Sequence, residues 1–305
     1  MNTKKIFVVV SMLVVFGRAW ADVDLPTKFS NQGSIGNTRH NMTQRQASGG
    51  GPSGIIMDQY RNDYQEVCVY CHTPHGANTT ATLPLWNRTL KATSYATYDL
   101  LQTSTLTQTV SQPGAASLSC LSCHDGQTAV DSIINMPGSG KYNPNATRDT
   151  VQSMAFLNSW GPNASGVGPA VHLALDGANP SLGCLACHAS TAGFVGAGAA
   201  DFTVLALGTD LKNDHPVGVT FPALSAATEG FKKPGGTKGT ASFFDVDGNN
   251  NMGKGEVRVY DGKVECASCH DPHGVQSGGA NSKFQPTFLR VDNTGSALCL
   301  TCHNK

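Results

Sequence analysis

Apolar runs along this chain are short, and only residues 6–16 form a continuous one. Lys4 and Lys5 precede that run and Ala19-Trp20-Ala21 follows it, so residues 1–21 have the charged start, apolar stretch and small-x-small end of a signal peptide. The run is too short to span a bilayer as a retained helix, and no later segment is apolar enough to do so. Residues 22–62 are polar and glycine-rich, broken at Gly49-Gly50-Gly51-Pro52, and read as an extended arm. Residues 118–135 carry enough apolar spacing for one short helix. The tract at 142–170, rich in Asn, Gly and Pro, reads as loop. Residues 257–260 and 263–265 predict two strands joined by a tight turn at Asp261-Gly262.

Composition explains why periodicity is so scarce. The chain has 34 Gly and 15 Pro in 305 residues, with few aromatics, so its side chains alone would stabilise a fold poorly. Length suggests one or two domains, but residues 22–305 read better as a single unit organised around something other than an apolar core. Removing residues 1–21 leaves 18 basic and 21 acidic residues, a net charge of minus three. With no basic run or aromatic-basic patch, nucleic-acid binding is not expected.

The ten cysteines change the picture most. They fall into five Cys-x-x-Cys-His motifs with none left over: Cys68, Cys71, His72; Cys120, Cys123, His124; Cys184, Cys187, His188; Cys266, Cys269, His270; and Cys299, Cys302, His303. This is the attachment signature of c-type haem, two thiols for the vinyl groups and an adjoining imidazole for the iron. Zinc sites, disulfides and thioredoxin-like pairs also use paired cysteines, but none needs a histidine after every pair. Five haem c groups are therefore expected, bound outside the cytoplasm, where free thiols are rare.

Five histidines remain for the five open axial positions: His40, His75, His172, His215 and His273. The matched count predicts bis-histidine, six-coordinate iron throughout. Methionine is the competing ligand, with Met42, Met57, Met136, Met154 and Met252 available. His75 and His273 lie three residues after a proximal histidine, in His-Thr-Pro-His-Gly and His-Asp-Pro-His-Gly. So short a link cannot round the macrocycle, so each should serve a haem other than its own motif's. His40 lies 28 residues before Cys68, with reach enough for a distant haem or a neighbouring subunit. Trp86, Tyr95 and Tyr98 fit haem edges and ordinary core filling equally well. Asp245 to Glu256 partly imitates a calcium loop, but its sixth residue is Asn250 where glycine is required, so a hairpin tip is expected.

Together, residues 68–76, Pro84-Leu85-Trp86-Asn87-Arg88, Cys120-Leu-Ser-Cys-His-Asp-Gly126, Asp214-His215-Pro216-Val217, residues 266–274 and 299–303 resemble the exported multihaem c-type cytochromes of metal-respiring bacteria. That group includes cytochromes that polymerise into extracellular filaments. The resemblance implies a multihaem cytochrome c fold: mostly coil, short helices at the haem motifs, a few short strands and a core of stacked haems. It further implies homo-oligomeric filaments, other redox cytochromes and extracellular acceptors as partners, and His40 as the ligand donated between subunits. The relatives carry four haems, so the Cys184 motif with His172 looks inserted. The expected function is electron transfer without catalysis. A monomeric periplasmic shuttle and a reductase with one open haem are the alternatives.

Overall fold

The computed structural model describes residues 29–42, 66–90, 93–135, 174–175, 183–191, 201–213 and 216–304. The expected signal peptide, the loop at 142–170, His172 and His215 lie outside these residues. Most of the described chain is coil and turn. Its helices are Ala115–His124, Leu185–His188, Cys266–Cys269 and Ala297–Cys302, joined by a 3-10 turn at Cys68–Tyr70 and other single turns. Each of the five cysteine motifs thus sits on a helical turn. Residues three apart on such a turn share one side, which in the first, second, fourth and fifth motifs brings both thiols to the same face.

The Ala115–His124 helix begins earlier than residue 118 and stops well short of 135. Its start is fixed from a distance, because the Gly114 amide donates to the Glu265 carboxylate at 3.0 Å. Its end comes at Asp125, after which Gly126, at φ +71°, turns the chain away.

The described residues form one small antiparallel sheet, with strands β1 (Val219–Thr220), β2 (Gly236–Lys238), β3 (Ala241–Phe243), β4 (Arg258–Tyr260) and β5 (Lys263–Val264), in the order β1-β5-β4-β3-β2. The hairpin expected at 257–265 is β4–β5. Its turn residues Asp261 and Gly262 both have positive φ, 48° and 76°, as a two-residue hairpin turn demands. Strands β1 to β3 have only two or three residues each, too few for alternation to show in sequence.

Apolar packing is split into small clusters, each built against a cysteine motif. Val69, Tyr70 and Ile133 pack with Met42 and Cys71. Tyr95, Leu121 and Leu211 pack with Leu118 and Leu207 beside the second motif. Phe221, Phe244, Val257 and Val259 pack with Leu298 and Cys302 against the last. Met42, offered by sequence as a possible ligand, is a packing residue here.

Candidate haem-binding site

Two stretches repeat one design. After the first motif the chain returns through Pro84–Arg88, and after the fourth it returns through Pro286–Arg290. The Asn87 amide donates to Cys71 O and the Arg290 amide to Cys269 O, each at 2.8 Å. Thr73 N donates to Leu85 O at 2.9 Å, and Asp271 N to Phe288 O at 2.8 Å. His72 bridges Trp86, and His270 bridges Leu289. Both units contain the Pro-His-Gly step, and both glycines take positive φ, +66° at Gly76 and +81° at Gly274. Neither leaves room for a side chain: a Cβ would meet Asn135 Nδ2 at 2.8 Å in the first unit and the Phe284 ring at 2.5 Å in the second.

The return segments hold the imidazoles. His72 Nδ1 donates to Pro84 O at 2.8 Å, and His270 Nδ1 to Thr287 O at 2.7 Å. His124 Nδ1 donates to Leu205 O at 2.7 Å, and His40 Nδ1 to Pro272 O at 3.2 Å. His273 Nδ1 donates to Asp271 Oδ1 at 3.1 Å. These acceptors cannot donate, so each Nδ1 carries a proton, which leaves Nε2 as the nitrogen for a metal. Such outer partners orient a metal-binding histidine and raise its basicity.

Four of these rings form two close pairs. His72 and His273 have ring centres 6.1 Å apart with planes at 15°, and His40 and His124 are 6.4 Å apart at 85°. An iron bonded to two imidazole nitrogens at about 2 Å each sets ring centres roughly 6 Å apart, so both pairs fit one. Burial, reinforced by the His124 imidazole, pushes His40 down to about 4 and keeps it neutral. Trp86, edge-on to His72 at 5.8 Å, has a buried Nε1 without a partner, which a porphyrin carboxylate beside His72 would satisfy. The residues present therefore fit haem.

Thiols of different motifs also lie near enough to influence one another. Burial pushes the Cys71 thiol up to about 12, and the nearby Cys123 thiol adds to it. Cys120 is raised by a hydrogen bond with Cys266 and then by burial. Burial pushes Cys302 up to about 12, with Cys269 next in effect. The thiols thus run in series from the first motif to the second, fourth and fifth. The third joins differently: Phe202 stacks on His188 at 4.1 Å, and the chain beyond it supplies the carbonyl that holds His124.

Buried polar side chains fasten these junctions. Arg88, with no exposed surface, donates to Ser122 Oγ and to the carbonyls of Ser122, Ala129 and Val130, at 2.7–3.1 Å. Asn87 Nδ2 donates to Val69 O and Asn135 O, both at 2.7 Å. Arg290 donates to Ala267 O at 3.0 Å, Lys254 O at 2.8 Å and Asp271 Oδ2 at 3.3 Å. Glu265 accepts from Ser117 Oγ as well as Gly114 N, locking the second motif's helix to the fourth's, and burial raises its carboxyl.

Sequence reasoning named the cysteines and histidines but missed Arg88, Arg290, Asp271 and Glu265 as supports. A Pro-x-x-x-Arg segment following each Pro-His-Gly was the available signal. His75 is exposed on its turn, and its carbonyl accepts from Thr73 Oγ1 at 2.8 Å.

A family model described as a doubled CXXCH motif matches residues 259–305, which hold the fourth and fifth motifs. The paired motif indicates a c-type cytochrome-like, multihaem protein. This match, with the paired imidazoles, points to haem-dependent electron transfer. No curated protein matches the chain. Among the described residues no helix is long and apolar enough to cross a membrane.

Proposed function

We propose that this cytochrome-like protein is an electron carrier with five c-type haems, each closed on both faces by histidine. When bound, such a haem supplies a one-electron couple at its iron. The cysteine pairs tether it, and the histidine after each pair holds the iron from one side. His273 completes the site of His72, and His40 that of His124. On this reading His40 serves its own chain rather than a neighbour. His75, His172 and His215 are left for the irons of His188, His270 and His303.

The observation that carries this reading is the two pairs of imidazoles with ring centres 6.1 and 6.4 Å apart, each ring with Nδ1 already engaged. Two imidazoles per iron leave no position for a substrate, which favours a carrier over a reductase. Histidine pairs also favour low potentials. The sulfur series brings the tethered edges of the first, second, fourth and fifth haems together, giving electrons a continuous path.

Export, the extracellular setting, filament assembly and exchange with other redox cytochromes or external acceptors rest on residues 1–21 and the motif resemblance. Haem content per chain, with carbon monoxide binding, tests the core reading. Five haems and no binding are expected; fewer haems, or one that binds carbon monoxide, would contradict it. Imaging secreted material tests assembly, with fibres expected and dispersed monomers favouring the periplasmic shuttle.

A further inference from the structure

We infer that the loop joining β3 to β4 is a divalent-cation site of the oxygen-donor type that takes calcium. Counted from Asp245, side-chain oxygens stand at the first (Asp245), third (Asp247), fifth (Asn249), seventh (Asn251) and twelfth (Glu256) positions, and the ninth is Gly253, which offers none. That is the donor spacing of a 12-residue calcium loop, where the seventh residue offers its carbonyl and the ninth acts through water. The sixth position of such a loop is glycine because the backbone there is left-handed. Asn250 takes that conformation, at φ +59°, and asparagine is among the few residues that tolerate it. The objection that the sequence raised at this position is therefore met by the backbone.

The loop is already wound. The Asp245 carboxylate accepts from the Asn249 and Asn250 amides, both at 3.1 Å, and Asn249 Oδ1 accepts from the Asn251 amide at 2.6 Å. Turns of this kind form without an ion, so they do not decide the matter.

Glu256 decides it. This residue is 2% exposed, and its Oε2 is buried without a hydrogen-bond partner. It lies directly beneath the loop, where a Cβ at Gly253 would come within 2.8 Å of Oε2. A buried carboxylate oxygen with no donor is costly, and a cation held by the loop satisfies it. Among the described residues no three acidic, His or Cys side chains converge on one point. Glu256 completes the shell by closing toward Asp245 and Asp247, with neutral oxygens of Asn249 and Asn251 beside them. Three carboxylates mixed with neutral oxygens suit calcium better than magnesium, which demands a near-ideal octahedron.

The competing account is an internal ion pair. Arg258 donates to Gly253 O at 2.6 Å and to Tyr260 Oη at 3.3 Å, while its Nε is buried without a partner. The loop also reaches the haem region, since Lys254 O accepts from Arg290, which donates in turn to Asp271.

The test is calcium titration by calorimetry on the chelator-treated haem-loaded protein, with thermal unfolding followed with and without calcium. The wild type is expected to bind one calcium per chain and to unfold at higher temperature with it. Glu256→Gln and the exposed Asp247→Asn should both lose at least tenfold in affinity and most of that shift, with unchanged haem spectra. Magnesium at equal concentration should give a smaller shift. No calcium binding by the wild type would overturn the inference. So would undiminished binding in both variants, or a calcium-free Arg258→Met protein as destabilised as Glu256→Gln while calcium shifts neither. Asp247 is exposed, so its variant remains informative if Glu256→Gln fails to fold.

Discussion

The units at 68–88 and 266–290 share a backbone design and differ at one buried position after the proximal histidine. The first has Thr73, which spends its hydroxyl on the His75 carbonyl. The second has Asp271, whose carboxylate accepts from the His273 amide at 3.0 Å, from its Nδ1 at 3.1 Å, and from Arg290. His273 is thereby held 6.1 Å from His72, and although both histidines are exposed, only the His273 ring has a carboxylate fixing it. One side chain thus separates a histidine whose ring is aimed from one whose turn alone is fixed. The two arginines differ to match, Arg88 meeting only neutral acceptors and Arg290 a carboxylate.

The arginines should break the comparison most visibly. Arg290→Met strands Asp271 as a buried charge and should cost about 3–5 kcal/mol in chemical denaturation. Adding Asp271→Asn should recover part of that loss. Arg88→Met leaves only neutral carbonyls and a hydroxyl unmet and should cost roughly 3 kcal/mol, with no rescue from Asp271→Asn. The glycines come next. Gly274→Ala drives a methyl into the Phe284 ring and should cost about 2–3 kcal/mol, while Gly76→Ala meets the movable end of Asn135 and should cost about 1 kcal/mol.

Acid should then separate the two units. Burial alone would raise the Asp271 carboxyl, but the His273 hydrogen bond and the Arg290 charge outweigh it and hold it at about 2. Its folded-state value is depressed, so its stabilisation is complete above the ordinary aspartate value near 4 and is lost as pH falls toward 2. Spectra of the His72–His273 site should change across that window, and Asp271→Asn should remove the dependence. Thr73→Val should have the smallest effect, about 1 kcal/mol, from one lost hydrogen bond.

What sequence could reveal followed from how local each determinant is. Cys-x-x-Cys-His is a contiguous pattern, so every cysteine and histidine of the motifs was legible, and the Asp261-Gly262 turn announced its hairpin. Supports were not, because they act across long separations. Glu265 caps a helix that begins at Ala115, and Leu205 holds His124. The short helix expected within 118–135 is present at Ala115–His124, but its bounds were not legible for the same reason, since its start depends on that remote carboxylate and its end on Gly126. Which histidine faces which is likewise a tertiary fact: His40 meets His124 through a carbonyl at Pro272 that no local pattern foretells.

The central claim is that His72–His273 and His40–His124 each clasp an iron within one chain, with planes at 15° and 85°. Electron paramagnetic resonance of the ferric protein reads that angle, because perpendicular imidazoles leave the iron orbitals nearly degenerate and move the signal to lower field than parallel ones. Both low-spin classes are expected, with His40→Ala removing a low-field component and His273→Ala a parallel-type component, each giving way to high-spin iron. Signals unchanged in both variants, or high-spin iron in the unaltered protein, would contradict the account.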